Sequence, residues 1–135
     1  MKLLFLNISQ ICSLLLIANI TYGQNDFLTL ARTWQFDKSS IRGTVMSPSD
    51  IEKQDYLDLR DDFTFIRVDG GTCFQGKWEY DESNQKIKLT YQLIDKVDFF
   101  SVKAVDKTHL VLKVEEDWKN EMTLYMKAVK YPCSI

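Results

Sequence analysis

Few side chains in this sequence are of the types that do covalent chemistry, and their spacing narrows the chemistry further. His109 is the only histidine. No serine or cysteine nucleophile motif accompanies it, so a catalytic triad has nothing to build on. Cys12, Cys73 and Cys133 lack the close Cys or His neighbours that a metal site requires. The run Glu115-Glu116-Asp117 can attract a cation, although a solvated acidic turn is the commoner meaning of such a run. The chain is therefore expected to be no enzyme and to carry no metal or cofactor. It does offer binding chemistry. Arg67 presents a planar fork that suits a carboxylate or phosphate. Tyr80 and Tyr91 have phenols that seek a partner when buried, and Trp118, Phe65, Phe74 and Phe100 supply aromatic surface.

Those residues need a scaffold, and the compartment comes first. Met1-Lys2 is a basic start, Leu3 to Ile20 is mostly apolar, and Thr21-Tyr22-Gly23 places small residues at the positions a signal peptidase reads. Asn7, Ser9, Gln10 and Asn19 interrupt the apolar run, which argues against a membrane anchor. Cys12 lacks a lipobox before it. Residues 1–23 are thus read as a cleaved signal peptide and 24–135 as one secreted or periplasmic domain. Cleavage removes Lys2 and no acid, taking the formal charge from −2 to −3. That mild acidity excludes the basic footprint of a nucleic-acid binder.

From Tyr56 to the end, apolar and polar residues alternate, broken by short polar turns. Before that, Asp26 to Ala31 reads as a helical turn, and Arg32 to Lys38 as a first strand with Trp34 and Phe36 on one face. A long connection, Ser39 to Gln54, contains a helix start with Ser47 as cap and Pro48 in the first turn. Antiparallel partners must share a face, so each turn fixes a register. A Gly70-Gly71 turn sets Phe63 against Trp78, Phe65 against Gly76 and Arg67 against Phe74. Ser83-Asn84 sets Tyr80 against Ile87 and Trp78 against Leu89. Asp95-Lys96 sets Tyr91 against Phe100 and Leu89 against Val102. Asp106-Lys107-Thr108 sets Val102 against Leu112, and Asp117-Trp118-Lys119 sets Leu112 against Leu124 and Leu110 against Met126. All these hairpins agree on one inner face. With the strands at Arg32 and Asp55 the pattern predicts an all-β, eight-stranded antiparallel up-and-down barrel preceded by a short helical turn.

Up-and-down connectivity puts the long connection and the turns at 70–71, 95–96 and 117–119 at one end, the expected mouth. Asp55, Arg67, Phe74, Leu93, Asp98, Glu116 and Asn120 are the inward residues nearest to it. Arg67 either anchors a ligand acid or pairs with Asp55, which a hairpin centred on Asp61 sets opposite it. Trp118, at a hairpin tip, either gates the mouth or folds back onto the barrel. The inner aromatics serve mainly as core, with Tyr80 and Tyr91 open to a ligand head or a trapped water. Cys73 points outward near the mouth, whereas Cys133 follows the last strand at the far end. A bridge needs Cα atoms within about 7 Å, so no intrachain disulfide is expected.

Leu59-Arg60-Asp61-Asp62-Phe63-Thr64-Phe65, then Gly76-Lys77-Trp78-Glu79-Tyr80 and Ile87-Lys88-Leu89, resemble the bacterial lipocalin-like domain, a calycin-type family. Trp34 occupies the place of that family's first-strand tryptophan, without the glycine two positions before it, and Asp62 stands where the hairpin glycine usually does. The resemblance implies a barrel with a cavity for small apolar molecules. The expected ligand is a small apolar or amphipathic molecule, held at the mouth by Arg67, Trp118, Phe74, Phe65, Phe100, Tyr91 and Tyr80. The alternative is a protein-binding module, an inhibitor or accessory subunit, built on a filled barrel. Neither needs nucleic acid or a membrane span.

Overall fold

The computed structural model describes residues 26–115 and 121–130. The expected signal peptide, Cys12, Glu116, Trp118, Asn120 and Cys133 lie outside them. A helical segment at residues 26–30 leads into β1 (Thr33–Ile41), β2 (Thr44–Met46), a 3-10 turn (Glu52–Gln54) and β3 (Tyr56–Leu59). Then follow β4 (Thr64–Asp69), β5 (Thr72–Asp81), β6 (Lys86–Tyr91), β7 (Val97–Val105), β8 (His109–Val114) and β9 (Met122–Val129). Each strand from β3 to β9 pairs with the next, β3 pairs with β1, and β1 closes on β9 from Thr33–Val129 to Ile41–Met122. The result is the closed eight-stranded up-and-down barrel the alternation predicts. No helix among the described residues is long and apolar enough to cross a membrane.

One end is plugged. Leu30 is fully buried, and its carbonyl accepts the indole N–H of Trp34 at 2.9 Å. Phe27 stacks on Trp78, with ring centroids 5.2 Å apart and planes 9° from parallel. The Trp78 indole N–H donates to the Arg60 carbonyl at 2.7 Å, so both buried indoles are satisfied. Above this plug, Phe65, Ile87, Leu89, Leu110 and Leu112 fill the barrel. The apolar period therefore supplies the wall, and the N-terminal segment supplies the stopper.

Turn chemistry accounts for the registers that match the expectation and for those that do not. Gly70 and Gly71 take φ of 60° and 85°, the left-handed pair a two-residue hairpin demands, and Arg67 meets Phe74 as expected. The β5–β6 register and the Leu112–Leu124 pairing also match. The β3–β4 hairpin does not. Its turn closes by the Phe63 N–H donating to the Arg60 carbonyl, and Phe63 takes φ of 67°, so three residues rather than one sit at the tip. The register moves by two, placing Arg67 opposite Leu57 instead of Asp55. Phe63 is thereby turned out of the inner wall to 55% exposure, its ring leaning on Phe27 and Trp78, although its carbonyl still accepts the Trp78 N–H.

The β6–β7 connection is also longer than the expected Asp95-Lys96 turn. The Tyr91 N–H donates to the Lys96 carbonyl and Leu93 takes φ of 70°, so Ile87 meets Phe100 and Leu89 meets Asp98. Leu93, expected inside, is 96% exposed. In the long connection, Arg42 and Gly43 form a second left-handed turn and add β2, so β1 runs three residues beyond Lys38. The helical turn starts at Glu52, with Ile51 in the cap position and no side-chain cap, rather than at Ser47 and Pro48. Just before it, the Ser49 hydroxyl accepts the Glu52 N–H at 3.3 Å and the Glu52 carboxylate accepts the Ser49 N–H at 3.2 Å.

Candidate functional site

The end opposite the plug opens into a cavity of about 350 Å³. Its floor is apolar: Leu57, Phe100, Leu112 and Met126 are buried core, and Phe36 and Leu124 continue the wall upward. Its upper wall is charged, with Arg67 from β4, Asp98 from β7, Asp69 at the end of β4, Lys96 from the β6–β7 loop, and Asp55 and Glu52 around the 3-10 turn. Alternation explains the floor, because every second residue of β8 and β9 points inward. The two longer hairpin loops explain the wall, because they bring acids and bases from distant strands together.

Arg67 organises one side. Its Nη1 donates to the Tyr91 hydroxyl at 2.7 Å and to Asp98 Oδ2 at 2.9 Å, and Nη2 lies 3.4 Å from Asp69. The Tyr91 hydroxyl in turn donates to Asp98 Oδ2 at 2.5 Å, closing a triangle. The guanidinium also lies 5.5 Å from the centroid of Phe100, and Lys96 Nζ lies 3.6 Å from Asp98 and 4.9 Å from the Tyr91 ring. Burial pushes the Tyr91 phenol far above its ordinary range, with the Asp98 hydrogen bond adding to the shift against the pull of Arg67. Burial works against the charge of Arg67, but Tyr91, Asp69 and Asp98 outweigh it and hold the guanidinium pKa up.

Asp55 lies beside this group, at the β4–β5 turn next to Asp69. Only 8% exposed, it accepts the Gly70 N–H on Oδ2 at 3.0 Å, while Oδ1 is buried with no hydrogen-bond partner. Burial raises its pKa above the ordinary aspartate value. The Gly70 and Gly71 N–H groups oppose that shift, and the charges of Asp69 and Glu52 add to it.

Of the residues singled out from sequence, Arg67 and Phe100 line the cavity. Tyr91 touches it only through Arg67 and Asp98. Phe65 is core packed edge-on against Tyr91, and Phe74 meets the other side of the same ring at 5.5 Å, so neither forms the cavity wall. Tyr80 lies toward the plugged end, where its burial raises its pKa and the charges of Asp26 and Glu82 add to the shift. Trp118 falls outside the described residues. The ion pair expected between Arg67 and Asp55 is replaced by Asp98 and Asp69. Lys96 and Glu52 were missed because turn and loop positions carry no facing rule, whereas Asp69 shares the face of Phe65 and Arg67 on β4 and was legible from alternation. Phe36, Val114 and Met122 were legible as inner-face residues; Phe36 was read as core, and the emphasis on aromatics hid Val114 and Met122. His109 is exposed beside Asp106 and Thr108, whose hydrogen bonds form the β7–β8 turn. Cys73 is exposed on β5.

Residues 30–112 match the family model described as the lipocalin-like domain. No curated protein matches the chain significantly. Three solved structures share its fold. A lipocalin-like protein from Bacteroides uniformis is 16% identical, with a TM-score of 0.58 over 75% of this chain and 99% of that one. An uncharacterized protein from Bacteroides eggerthii is 11% identical, with a TM-score of 0.55 over 73% and 98%. A DUF4847 family protein from Bacteroides vulgatus is 12% identical, with a TM-score of 0.55 over 76% and 96%.

Proposed function

Because the chain belongs to the lipocalin-like domain family, we propose that it is an exported binding protein that holds a small apolar or amphipathic molecule in the open end of its barrel. The observation that carries this reading is the cavity. Its volume of about 350 Å³ falls at the lower end of the range, about 300–1,000 Å³, typical of small-molecule sites. A floor of Leu57, Phe100, Leu112 and Met126 under a rim of charge suits a guest with an apolar body and a polar head. A barrel serving only as a rigid platform needs no such space.

The platform reading is favoured by a different observation. Val45, Met46, Ile51, Leu93 and Ile94, all on connections at the open end, are 44–96% exposed. Exposed apolar residues gathered around one end suit a protein partner as well as a ligand's entrance. The two readings separate on the interior.

Displacement of an apolar fluorophore tests them. The wild-type domain should take up the probe, and Val114→Trp, which fills the upper cavity, should weaken uptake by at least about tenfold while the far-UV circular dichroism is kept. Native mass spectrometry of protein from its own source should show added mass from a retained guest. If wild type takes up no apolar probe and carries no added mass, the platform is the better account.

A further inference from the structure

Beyond Phe36, a β-bulge decides which side chain β1 sends into the cavity. Alternation continued from Trp34 and Phe36 would bring in Lys38. Instead the β1–β9 register slips: Phe36 lies opposite Met126, Lys38 opposite Tyr125 and Ser39 opposite Leu124, with Asp37 as the extra residue. Lys38 is turned out, its Nζ 5.3 Å from the centroid of the Tyr125 ring. Ser39 is turned in and lines the cavity beside Phe36, Leu124 and Met126. Bulges beside binding sites re-aim side chains in this way. The Ser39 hydroxyl, both donor and acceptor, makes no hydrogen bond among the described residues.

The ionised groups of the cavity are otherwise engaged. Arg67 is held by Asp98, Asp69 and the Tyr91 hydroxyl, and Lys96 by Asp98. With Glu52 and Asp55 the lining carries four acids against these two cations, a formal charge of −2, so an entering carboxylate must break a pair and then sit among surplus acids. An ammonium finds no free acceptor below the rim. Asp98 Oδ2 already takes Arg67, Lys96 and the Tyr91 hydroxyl, and the unpartnered oxygen of Asp55 is sealed from the cavity. Asp69 and Glu52 are in contact with water, where an ion pair gains little against the hydration an ammonium loses on entry.

We infer that the cavity selects an uncharged amphiphile, an alcohol or carbonyl compound on an apolar chain, through a hydrogen bond between its head and the Ser39 hydroxyl. This rests on the ligand-binding reading above and specifies its chemistry. Strand β1 runs from the plug at Trp34 to the open end at Ile41, so Ser39 stands above Phe36. A head at Ser39 lets the chain run down past Phe36 toward Leu112 and Met126. Arg67 is then not the ligand's anchor but the strut that ties Asp98 and Asp69 together. The bulge matters because it replaces a charge at this position with a neutral group.

The test displaces an apolar fluorophore with octanol, 2-octanone, octanoate and octylamine at pH 7.5. Wild type should bind the two neutral compounds about tenfold or more tightly than either ion. Ser39→Ala should weaken both neutral compounds about three- to tenfold, the scale of one neutral hydrogen bond, and leave the fluorophore's own affinity unchanged. Ser83→Ala, the same change in the β5–β6 turn at the plugged end, should match wild type. Octanoate binding as tightly as octanol overturns the inference and returns the anchor to Arg67. Octylamine binding as tightly as octanol overturns it in favour of the acids. A neutral preference kept in full by Ser39→Ala overturns the assignment of Ser39. Equal binding of all four overturns the inference while leaving the cavity a ligand site, whereas binding of none, fluorophore included, removes the ligand-binding reading itself. The head-group comparison uses wild type alone, so it decides the matter even if Ser39→Ala folds poorly.

Discussion

Gly76→Ala adds one methyl group and should destabilise the barrel by about 3 kcal/mol or more, at or above the top of the usual range for overpacking a core. Gly76 pairs with Tyr91 across β5 and β6, where the two backbones approach closely. A Cβ at Gly76 would lie 2.1 Å from the Thr90 carbonyl oxygen and 2.7 Å from Cε1 of Phe65, where ordinary contact begins at 3.4 Å. Thr90 must then withdraw by more than about 1 Å, and its oxygen is main chain in a strand paired on both sides. Phe65 cannot swing away either, being 1% exposed and packed edge-on against Tyr91 at 5.3 Å. Against this, alanine restricts the unfolded chain and recovers only about 0.4–1 kcal/mol. The clash decides the sign. Urea unfolding followed by tryptophan fluorescence gives the free energy by linear extrapolation, and an unchanged slope confirms that the same surface is exposed. Because Tyr91 carries the hydroxyl that joins Arg67 to Asp98, the variant should also weaken ligand uptake. A loss below about 1 kcal/mol, within the range of ordinary substitutions, would show that β5 and β6 do not approach as described.

Two further outcomes follow from the packing and the electrostatics. Trp78→Ala should cost about 3–5 kcal/mol, since a fully buried indole stacked on Phe27 is removed and the Arg60 carbonyl loses one of its two donors; chemical denaturation checks it, and a surface-sized loss would contradict the plug. Asp55→Asn should raise the melting temperature at pH 7. The folded pKa of Asp55 lies above its ordinary value, so the native state binds the proton more tightly than the unfolded chain; the charged form therefore costs stability above the folded pKa, and that cost fades as pH falls through it toward 3.8. Melting curves from pH 7 to 4 should show the advantage of the variant shrinking across that window, and an advantage that is constant or absent would refute the account of Asp55.

Alternation determined which face of the eight barrel strands looks inward, and it did so from residues alone: Trp34, Phe65, Trp78, Leu89, Phe100 and Leu112 are all core. The glycine pair at 70–71 determined one register outright, because only a left-handed two-residue turn joins those strands without splaying them. The N-terminal helical turn was legible for the same kind of local reason. Tertiary structure decided the rest, and the cause is a symmetry of the pattern itself. A strand moved by two residues against its neighbour keeps every side chain on the same face, so period-two alternation cannot tell one even register from the next. The β3–β4 hairpin shifted by two at Phe63, and the β6–β7 connection by four at Leu93, where non-glycine residues take positive φ that no composition rule anticipates. Those shifts turned Phe63 and Leu93 out of the expected interior and rewrote the site. They moved Arg67 from Asp55 to Asp98, brought Lys96 over the same acid, and left one oxygen of Asp55 buried without a hydrogen-bond partner.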